Sequence, residues 1–353
     1  MAEVETTSFF GRIMNSIGGV FIGLLLIPVS FFVLSVSSCR ERASEALQDA
    51  VPVDQMVAGK AAYATGKIFA NPIGDPPYVK AGPYLTLNRS VQMYAWEETS
   101  KKDGEKTVPD CETKWTSSPD TNIGSKEGCR GKYNPGVRTR DTSNRAAIQV
   151  KTNTQSYAVG SEVDFYGMPS ANISSSDVTG LIEAGGYYYL TEQCASSPNV
   201  GCERISYSGT GYDPQGEYTV IGTAQNTRFQ PYVSPEDNKY LALGAGGFGQ
   251  TLDSIGTADT METVAWFILS VALLGGGLSM IVGPLLSLIE YIPLIGGFGA
   301  GLIRVIFFIT AAVVMGITYV FLRYWYVVLI LFVILVAVVA FIAMSRRKQA
   351  QAA

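Results

Sequence analysis

The chain has 353 residues, is 47% hydrophobic, and carries a formal net charge of −4 with no histidine. Without histidine, Ser-His-Asp hydrolysis, Cys-His hydrolysis and HExxH zinc chemistry are excluded in their usual forms. The lack of a basic excess excludes nucleic acid as an expected partner.

Residues 1–12 precede a first apolar segment at 13–37, whose uncharged run Ile17–Val36 reaches the roughly 20 residues that cross ~30 Å of hydrocarbon. A cleaved signal peptide has an apolar core of only about 7–15 residues, so a membrane span is expected instead. Val36-Ser37-Ser38-Cys39 fits a lipid-attachment box only loosely, because Val stands in place of Leu and the run is long.

Residues 38–262 change character and read as a separate domain rich in Ser, Thr, Asn, Gly and Tyr. Ala43–Val51 is expected to be a helix, and so is Ser175–Glu183 with a Ser or Asp cap. Alternation of apolar with polar or small residues predicts strands at Tyr84–Leu87, Ser90–Trp96, Ala146–Lys151, Tyr187–Gln193, Arg204–Ser208 and Tyr218–Gln225. Turn clusters such as Asn134-Pro135-Gly136 separate them. The expected domain is therefore α+β or mostly β. Asn88-Arg89-Ser90 and Asn172-Ile173-Ser174 are formal glycosylation sequons.

Four of the five cysteines fall in this domain as two local pairs, Cys111 with Cys129 and Cys194 with Cys202. These pairings are the expected disulfides, although four cysteines formally allow three pairings. A four-thiolate zinc site is the rival, but no C-x2-C spacing occurs. Disulfides would place the domain in an oxidising compartment. Gly244–Gly249 matches G-x-G-x-x-G, yet that motif needs a βαβ unit with an acidic residue about 20 positions on, and here the next element is a membrane span, so it reads as a flexible approach to the bilayer.

The C-terminal third holds three more apolar segments. Residues 263–289 form the second span, interrupted by Gly275-Gly276-Gly277 and Pro284, which membrane helices tolerate. A Gly/Pro linker, 290–301, leads to the third span at 302–322 and the fourth at 326–344. Arg346-Arg347-Lys348 in the tail 345–353 reads as cytosolic, which puts 38–262 on the far side of the membrane. Arg40 and Arg42 oppose that orientation, and the cysteine pairs support it. Gly19 with Gly23, and Gly297 with Gly301, have the small-xxx-small spacing that lets helices approach closely.

The ordered strings resemble the transmembrane protein 43 family, also called LUMA. They are Ser16-Ile17-Gly18-Gly19, Arg40-Glu41-Arg42-Ala43, Leu87-Asn88-Arg89-Ser90-Val91-Gln92-Met93-Tyr94-Ala95-Trp96-Glu97-Glu98, Lys114-Trp115-Thr116-Ser117, Arg204-Ile205-Ser206-Tyr207-Ser208, and Pro284 through Glu290-Tyr291-Ile292-Pro293-Leu294. The resemblance implies four spans in a 1+3 arrangement with a large lumenal domain. It further implies self-association and a role in organising membrane protein complexes, at the endoplasmic reticulum or inner nuclear membrane. The two local cysteine pairs and Tyr187-Tyr188-Tyr189 depart from animal members. They favour a bacterial inner membrane with a periplasmic domain.

Three functions follow as expectations. The first is a non-enzymatic scaffold whose partners are the bilayer, copies of itself and other membrane proteins, with no cofactor or metal. The second is a channel or transporter using Glu290, Arg304 and Arg323, which stand at span ends where snorkelling also explains them. The third is a lipid-binding or lipid-modifying protein with Glu97, Glu98 or Asp164 as acid–base groups, Asp164 lying beside Phe165-Tyr166 where burial would raise its pKa.

Overall fold

The computed structural model describes residues 9–103, 106–284, 296–324 and 333. The expected fourth span apart from residue 333, the basic tail, Glu290 and Pro293 lie outside the described residues. The chain divides into two compact units, one built on Glu41–Asp259 and the other on the apolar helices that flank it in sequence.

Five strands of the first unit close into a ring: β2 (Ala62–Ala70), β8 (Ile148–Lys151), β9 (Ser156–Val159), β14 (Tyr218–Gln225) and β15 (Arg228–Gln230). Strand β2 pairs with β14 through Ala62–Gly66 and with β8 through Lys67–Ala70. Strand β9 pairs antiparallel with β8 and parallel with β15, which returns antiparallel to β14. In chain order the ring runs first, second, third, fifth, fourth and back to first. That connectivity, with the third and fifth strands parallel, is the one found in OB-type barrels. Three more strands extend it: β1 (Val51–Pro52) beside β2, β18 (Ala242–Ala245) beside β14, and β10 (Asp164–Tyr166) beside β18.

Period-two alternation decides what fills the ring, since successive side chains point to opposite faces of a strand. Ala64, Ile68, Val150, Tyr157, Val220 and Phe229 point inward and are buried, each large one contributing about 1.5–3 kcal/mol. Gly66 sits where β2 switches partner. A Cβ there would lie 2.1 Å from the Lys151 carbonyl oxygen, so only glycine lets β2 bend between its two neighbours.

Two excursions from the ring, 71–147 and 160–217, build a second antiparallel sheet. It contains β5 (Tyr84–Asp103), β6 (Lys106–Thr116), β7 (Thr142–Arg145), β11 (Ile182–Ala184), β12 (Tyr187–Tyr189) and β13 (Glu203–Gly211). Their order is β11-β12-β13-β5-β6, with β7 also on β5. Short ladders β3 (Ile73–Asp75) with β4 (Val79–Gly82), and β16 (Tyr232–Val233) with β17 (Lys239–Tyr240), complete the strands described.

Helix α2 (Ala43–Leu47) and the first turns of α4 (Phe248–Ile281) cover the outside of the ring. Leu47 and Ile255 bury there against Ile221 and Ala242, and Tyr63 stacks on Phe248 at 4.3 Å. The Asp259 carboxylate accepts the Ser44 N–H at 2.8 Å and the Ser44 hydroxyl at 2.6 Å. It therefore caps α2 from a different helix, satisfying a donor at the helix start that has no partner within α2.

Three local readings need correction. Ser175–Glu183 is not a helix. Ser174 and Asp177 form a capping box around a single 3-10 turn, Ser175–Asp177, and Gly180 at φ +70° turns the chain into β11. Tyr187–Gln193 is a strand only to Tyr189. Thr191 then accepts the Cys194 N–H and starts α3 (Glu192–Ser196). Gly244–Gly249 is a packed strand-to-helix junction. Gly244 closes β18 against the Thr251 side chain, and Gly246 turns at φ +85° into α4.

The second unit holds α1 (Phe9–Cys39), the apolar part of α4 and α5 (Gly296–Arg323). Three described helices are long and apolar enough to cross a membrane. Helix α4 begins before the expected span 263–289, because its polar first turns belong to the β-rich unit. Helix α5 begins at Gly296, so the second half of the expected linker is helical. Phe21, Leu25, Phe32 and Ile317 are each at least two-thirds exposed, an arrangement suited to lipid. Ser30, Ser270 and Thr318 donate to backbone carbonyls of their own helices at 2.6, 2.8 and 2.8 Å, as a low-dielectric surrounding demands.

Of the small-xxx-small pairs, Gly23 carries a tight contact. A Cβ on Gly23 would lie 2.6 Å from the Gly277 carbonyl oxygen, and one on Gly277 would lie 2.9 Å from that of Gly23. The Gly275–Gly277 run is therefore a packing notch, with Gly275 facing the Phe308 ring. Gly19 lies farther off, its Cβ position 4.0 Å from the Met280 carbonyl oxygen, and a Cβ on Gly301 would meet nothing within 4 Å. The surroundings of Gly297 are outside the described side chains. Gly23→Leu should cost about 1–3 kcal/mol by overpacking, read as a lowered melting temperature in detergent. Gly18→Leu, with open space around it, should leave that temperature nearly unchanged.

Candidate functional site

The strand carrying Leu87–Glu98 lies at the centre of the second sheet, paired with β13 on one side and with β7 and β6 on the other. Its alternation gives it two unlike faces. Leu87, Arg89, Val91, Met93 and Ala95 are buried, and Gln92, Tyr94 and Trp96 are half-buried on the opposite face.

The buried face contains a charge. Arg89 Nη1 contacts Asp75 Oδ2 at 2.7 Å with both side chains nearly inaccessible. Tyr207 donates its hydroxyl to the same carboxylate oxygen at 2.7 Å, and Thr142 donates to the other at 3.3 Å. Arg89 Nε reaches the Arg140 carbonyl at 2.9 Å, and its guanidinium lies over the Tyr78 ring. Burial, with the Asp75 hydrogen bond and charge, raises the Tyr207 phenol well above its ordinary value despite Arg89. Buried Glu203 accepts the backbone N–H of Arg138 at 2.6 Å and that of Thr139 at 3.1 Å, fastening the loop after Gly136.

Where β13 ends, a side chain continues the ladder along β5. Asn134 accepts the Trp96 N–H at 2.7 Å and donates to the Trp96 carbonyl at 2.9 Å. Lys132 lies over the Trp96 ring at 4.2 Å.

The half-buried face is a stack of rings around one guanidinium. Arg204 lies 4.6 Å from the Trp115 ring centre and 3.9 Å from that of Tyr187, and both Nε and Nη2 donate to Gln92 Oε1. Tyr94 and Tyr189 flank Trp115 at 5.3 and 6.0 Å. The register explains this convergence, because Gln92 pairs with Arg204, Arg204 with Tyr189, and Tyr94 with Trp115.

The cysteines join as Cys111–Cys129 and Cys194–Cys202, and Cys39 is free and exposed. Both bridges tie loops to this strand. Cys202 accepts the Tyr94 N–H at 2.8 Å, and Cys111 pairs with Glu98. The thiolates of the rival zinc reading are thereby consumed. Among the described residues no cluster of three or more His, Cys, Asp or Glu is arranged to hold a metal.

The three acid–base candidates do not converge. Glu97 binds Lys114 at 2.6 Å, and Glu98 accepts the Gly128 N–H at 2.9 Å. Asp164 is on β10, at the outer end of the barrel sheet, exposed at its side chain. Desolvation raises its carboxyl pKa, and Arg145 opposes that shift. Arg304 and Arg323 both belong to α5. Asn88, the first sequon, is in the central strand and accepts the Ser143 hydroxyl at 2.7 Å.

The Lys114 contact holds the Glu97 carboxyl below its usual value against some desolvation. A depressed carboxylate contributes stability that is present above its unfolded pKa and lost as pH falls through the folded one. The stability contributed by Glu97 should therefore fade below about pH 4.5. In Glu97→Gln, acid unfolding should respond less steeply to pH.

Asp75, Asn134 and Glu203 carry structural weight that sequence reading missed. Their partners are 14, 38 and 64 or more positions away. The available signal was an ionisable or amide residue set among apolar neighbours, as in Ile73-Gly74-Asp75.

A β-rich domain of barrel plus sheet, inserted between helices apolar enough to span a bilayer, defines a membrane protein with a large inserted domain. The sequence profile described as "Transmembrane protein 43" matches residues 93–328. The chain belongs to this family. Transmembrane protein 43 of Homo sapiens is 25% identical over 280 residues, covering 70% of this chain and 69% of that protein. The Rattus norvegicus and Mus musculus proteins of that name are each 25% identical over 272 residues, covering 68% of this chain and 67% of theirs. No solved structure matches.

Proposed function

We propose that the chain is a non-enzymatic membrane scaffold that self-associates and holds partner proteins through its β-rich domain. One observation carries the reading: the half-buried Tyr94, Trp115, Tyr187 and Arg204 stack on the second sheet. Tyr, Trp and Arg are the residue types enriched at the centres of protein interfaces. Here they are held rigid by β pairing, so little side-chain entropy would be lost on docking. The carboxylates Asp75, Glu203 and Glu97 are occupied by structural bonds, which favours a framework over acid–base work.

The disulfides favour an oxidising compartment for this domain, a condition that the bacterial periplasm and the lumen of the endoplasmic reticulum both meet. Crosslinking in native membranes, followed by sizing, tests the reading. The expected result is a species larger than the monomer with co-purifying protein, diminished in Trp115→Ala and Tyr187→Ala while circular dichroism is retained. A strictly monomeric chain with no co-purifying protein would defeat it.

A further inference from the structure

The outer surface of the barrel has a composition that stability does not explain. The inward positions of β2, β8, β9 and β15 make the core, so the alternate positions face out. They include Lys67, Phe69, Gln149, Lys151, Ser156 and Arg228, which are exposed or half-exposed. The register places them side by side: Phe69 opposes Gln149, Lys67 opposes Lys151, Lys151 opposes Ser156, and Arg228 adjoins Ala158. Three of these six are cations and none is a carboxylate, in a chain whose net charge is −4.

Lys67 and Lys151 occupy directly opposed positions of an antiparallel pair. Like charges so placed destabilise a sheet. Each is turned to a separate neighbour, Lys67 to Gln215 Oε1 at 3.2 Å and Lys151 over the Phe69 ring at 5.6 Å. Phe69 is itself 53% exposed. An opposed lysine pair around an open ring costs stability, and an anion bridging the two ammonium groups would offset that cost.

The flanking chain indicates what kind of anion. From Ala147 to Val159 the only charge is Lys151, and from Gln225 to Gln230 the only charge is Arg228. The turns that bound the face, Thr152–Gln155 and Asn226–Thr227, are entirely amide and hydroxyl. Ser156 donates to Gln149 Oε1 at 3.0 Å on the face itself. Amides and hydroxyls around a single ring and spaced cations match the hydroxyls, C–H faces and carboxylates of an acidic sugar chain. Lipid insertion would call for a broader apolar patch, and single-stranded nucleic acid for a series of stacking rings.

We infer that the outer face of β2, β8, β9 and β15 binds an anionic oligosaccharide, its acidic groups on Lys67, Lys151 and Arg228 and one sugar ring on Phe69. The surface differs from the aromatic stack of the second sheet and stands independently of partner binding there. OB-type barrels also carry their ligands on an outer strand face.

Labelled oligogalacturonate, titrated into the full-length protein in neutral-lipid nanodiscs, tests the inference. Saturable binding is expected, weakening as salt rises. Lys67→Gln/Lys151→Gln and Phe69→Ala should each weaken it by about tenfold or more. Lys239→Gln, on β17, should leave it unchanged. Lys67→Thr should melt no lower than the parent while binding less. The inference is overturned if a neutral dextrin binds equally well or oligogalacturonate does not bind. It is likewise overturned if a thymidine oligomer or anionic vesicles compete more strongly than the sugar. A Lys67→Thr protein less stable than its parent would remove the premise.

Discussion

Arg89→Met should destabilise the β-rich domain by about 3–5 kcal/mol, read as a shifted denaturation midpoint of tryptophan fluorescence in detergent. Arg89 is the cation that allows Asp75 to be charged and 3% exposed. Removing it strands a carboxylate held by only Tyr207 and Thr142. Asp75→Leu/Arg89→Met removes both charges, so most of the loss should be recovered. If the single and double variants are equally unstable, the pair is not the source of the effect. Tyr207→Phe deletes one hydrogen bond to a charged group and should cost about 1.5–3 kcal/mol.

The same network has an alkaline limit. Burial and Asp75 raise the Tyr207 pKa, so its stability contribution is full below the ordinary tyrosine value of about 10 and is lost as pH rises through the folded value. A spectrophotometric titration should show one tyrosine ionising after the others, and that late component should be missing from Tyr207→Phe.

Gly66→Val should unfold the barrel or cost at least about 3 kcal/mol, the upper end for overpacking. The obstructing atom is the Lys151 carbonyl oxygen at 2.1 Å from the added Cβ. Backbone held in a ladder cannot swing aside as a side-chain end can, and moving it would break the β2–β8 pairing that closes the ring. Gly136→Ala, where an added Cβ meets nothing within 4 Å, is the matched control and should shift the midpoint little. Equal effects at the two glycines would show that close approach is not what requires Gly66.

Much of the architecture was legible where the signal is local. The strand Tyr218–Gln225 has the bounds expected of it, although Tyr218 through Gly222 are buried on both of its faces. The motif strand is also where its alternation places it, although it runs on to Asp103. Cysteines 18 and 8 residues apart pair within their own loops. The reading failed at Ser175–Glu183, where a good cap was present. The capping box stabilises only one turn, and Gly180 and the pairing of β11 with β12 outweigh helix propensity beyond it. It failed at Gly244–Gly249 because glycine count alone does not distinguish a loose segment from one packed on Thr251 and Gln250.

The candidate surfaces were less legible than the strands. Tyr94, Trp115, Tyr187 and Arg204 come from β5, β6, β12 and β13, and only the register brings them onto one face. Lys67 and Lys151 meet across 84 positions of chain, most of them spent in building the second sheet.

By itself the sequence determined the apolar helices, the β-rich middle, the local disulfides and the likeness to a family. Each depends on residues near one another in the chain, through hydropathy, alternation or short loops. The tertiary structure alone decided that β2 closes a ring at Gly66, that Asp75 is the partner of Arg89, and that Gly23 meets Gly277. Those depend on which distant segments come within contact distance, and short-range attraction gives no sign of that until the chain has folded.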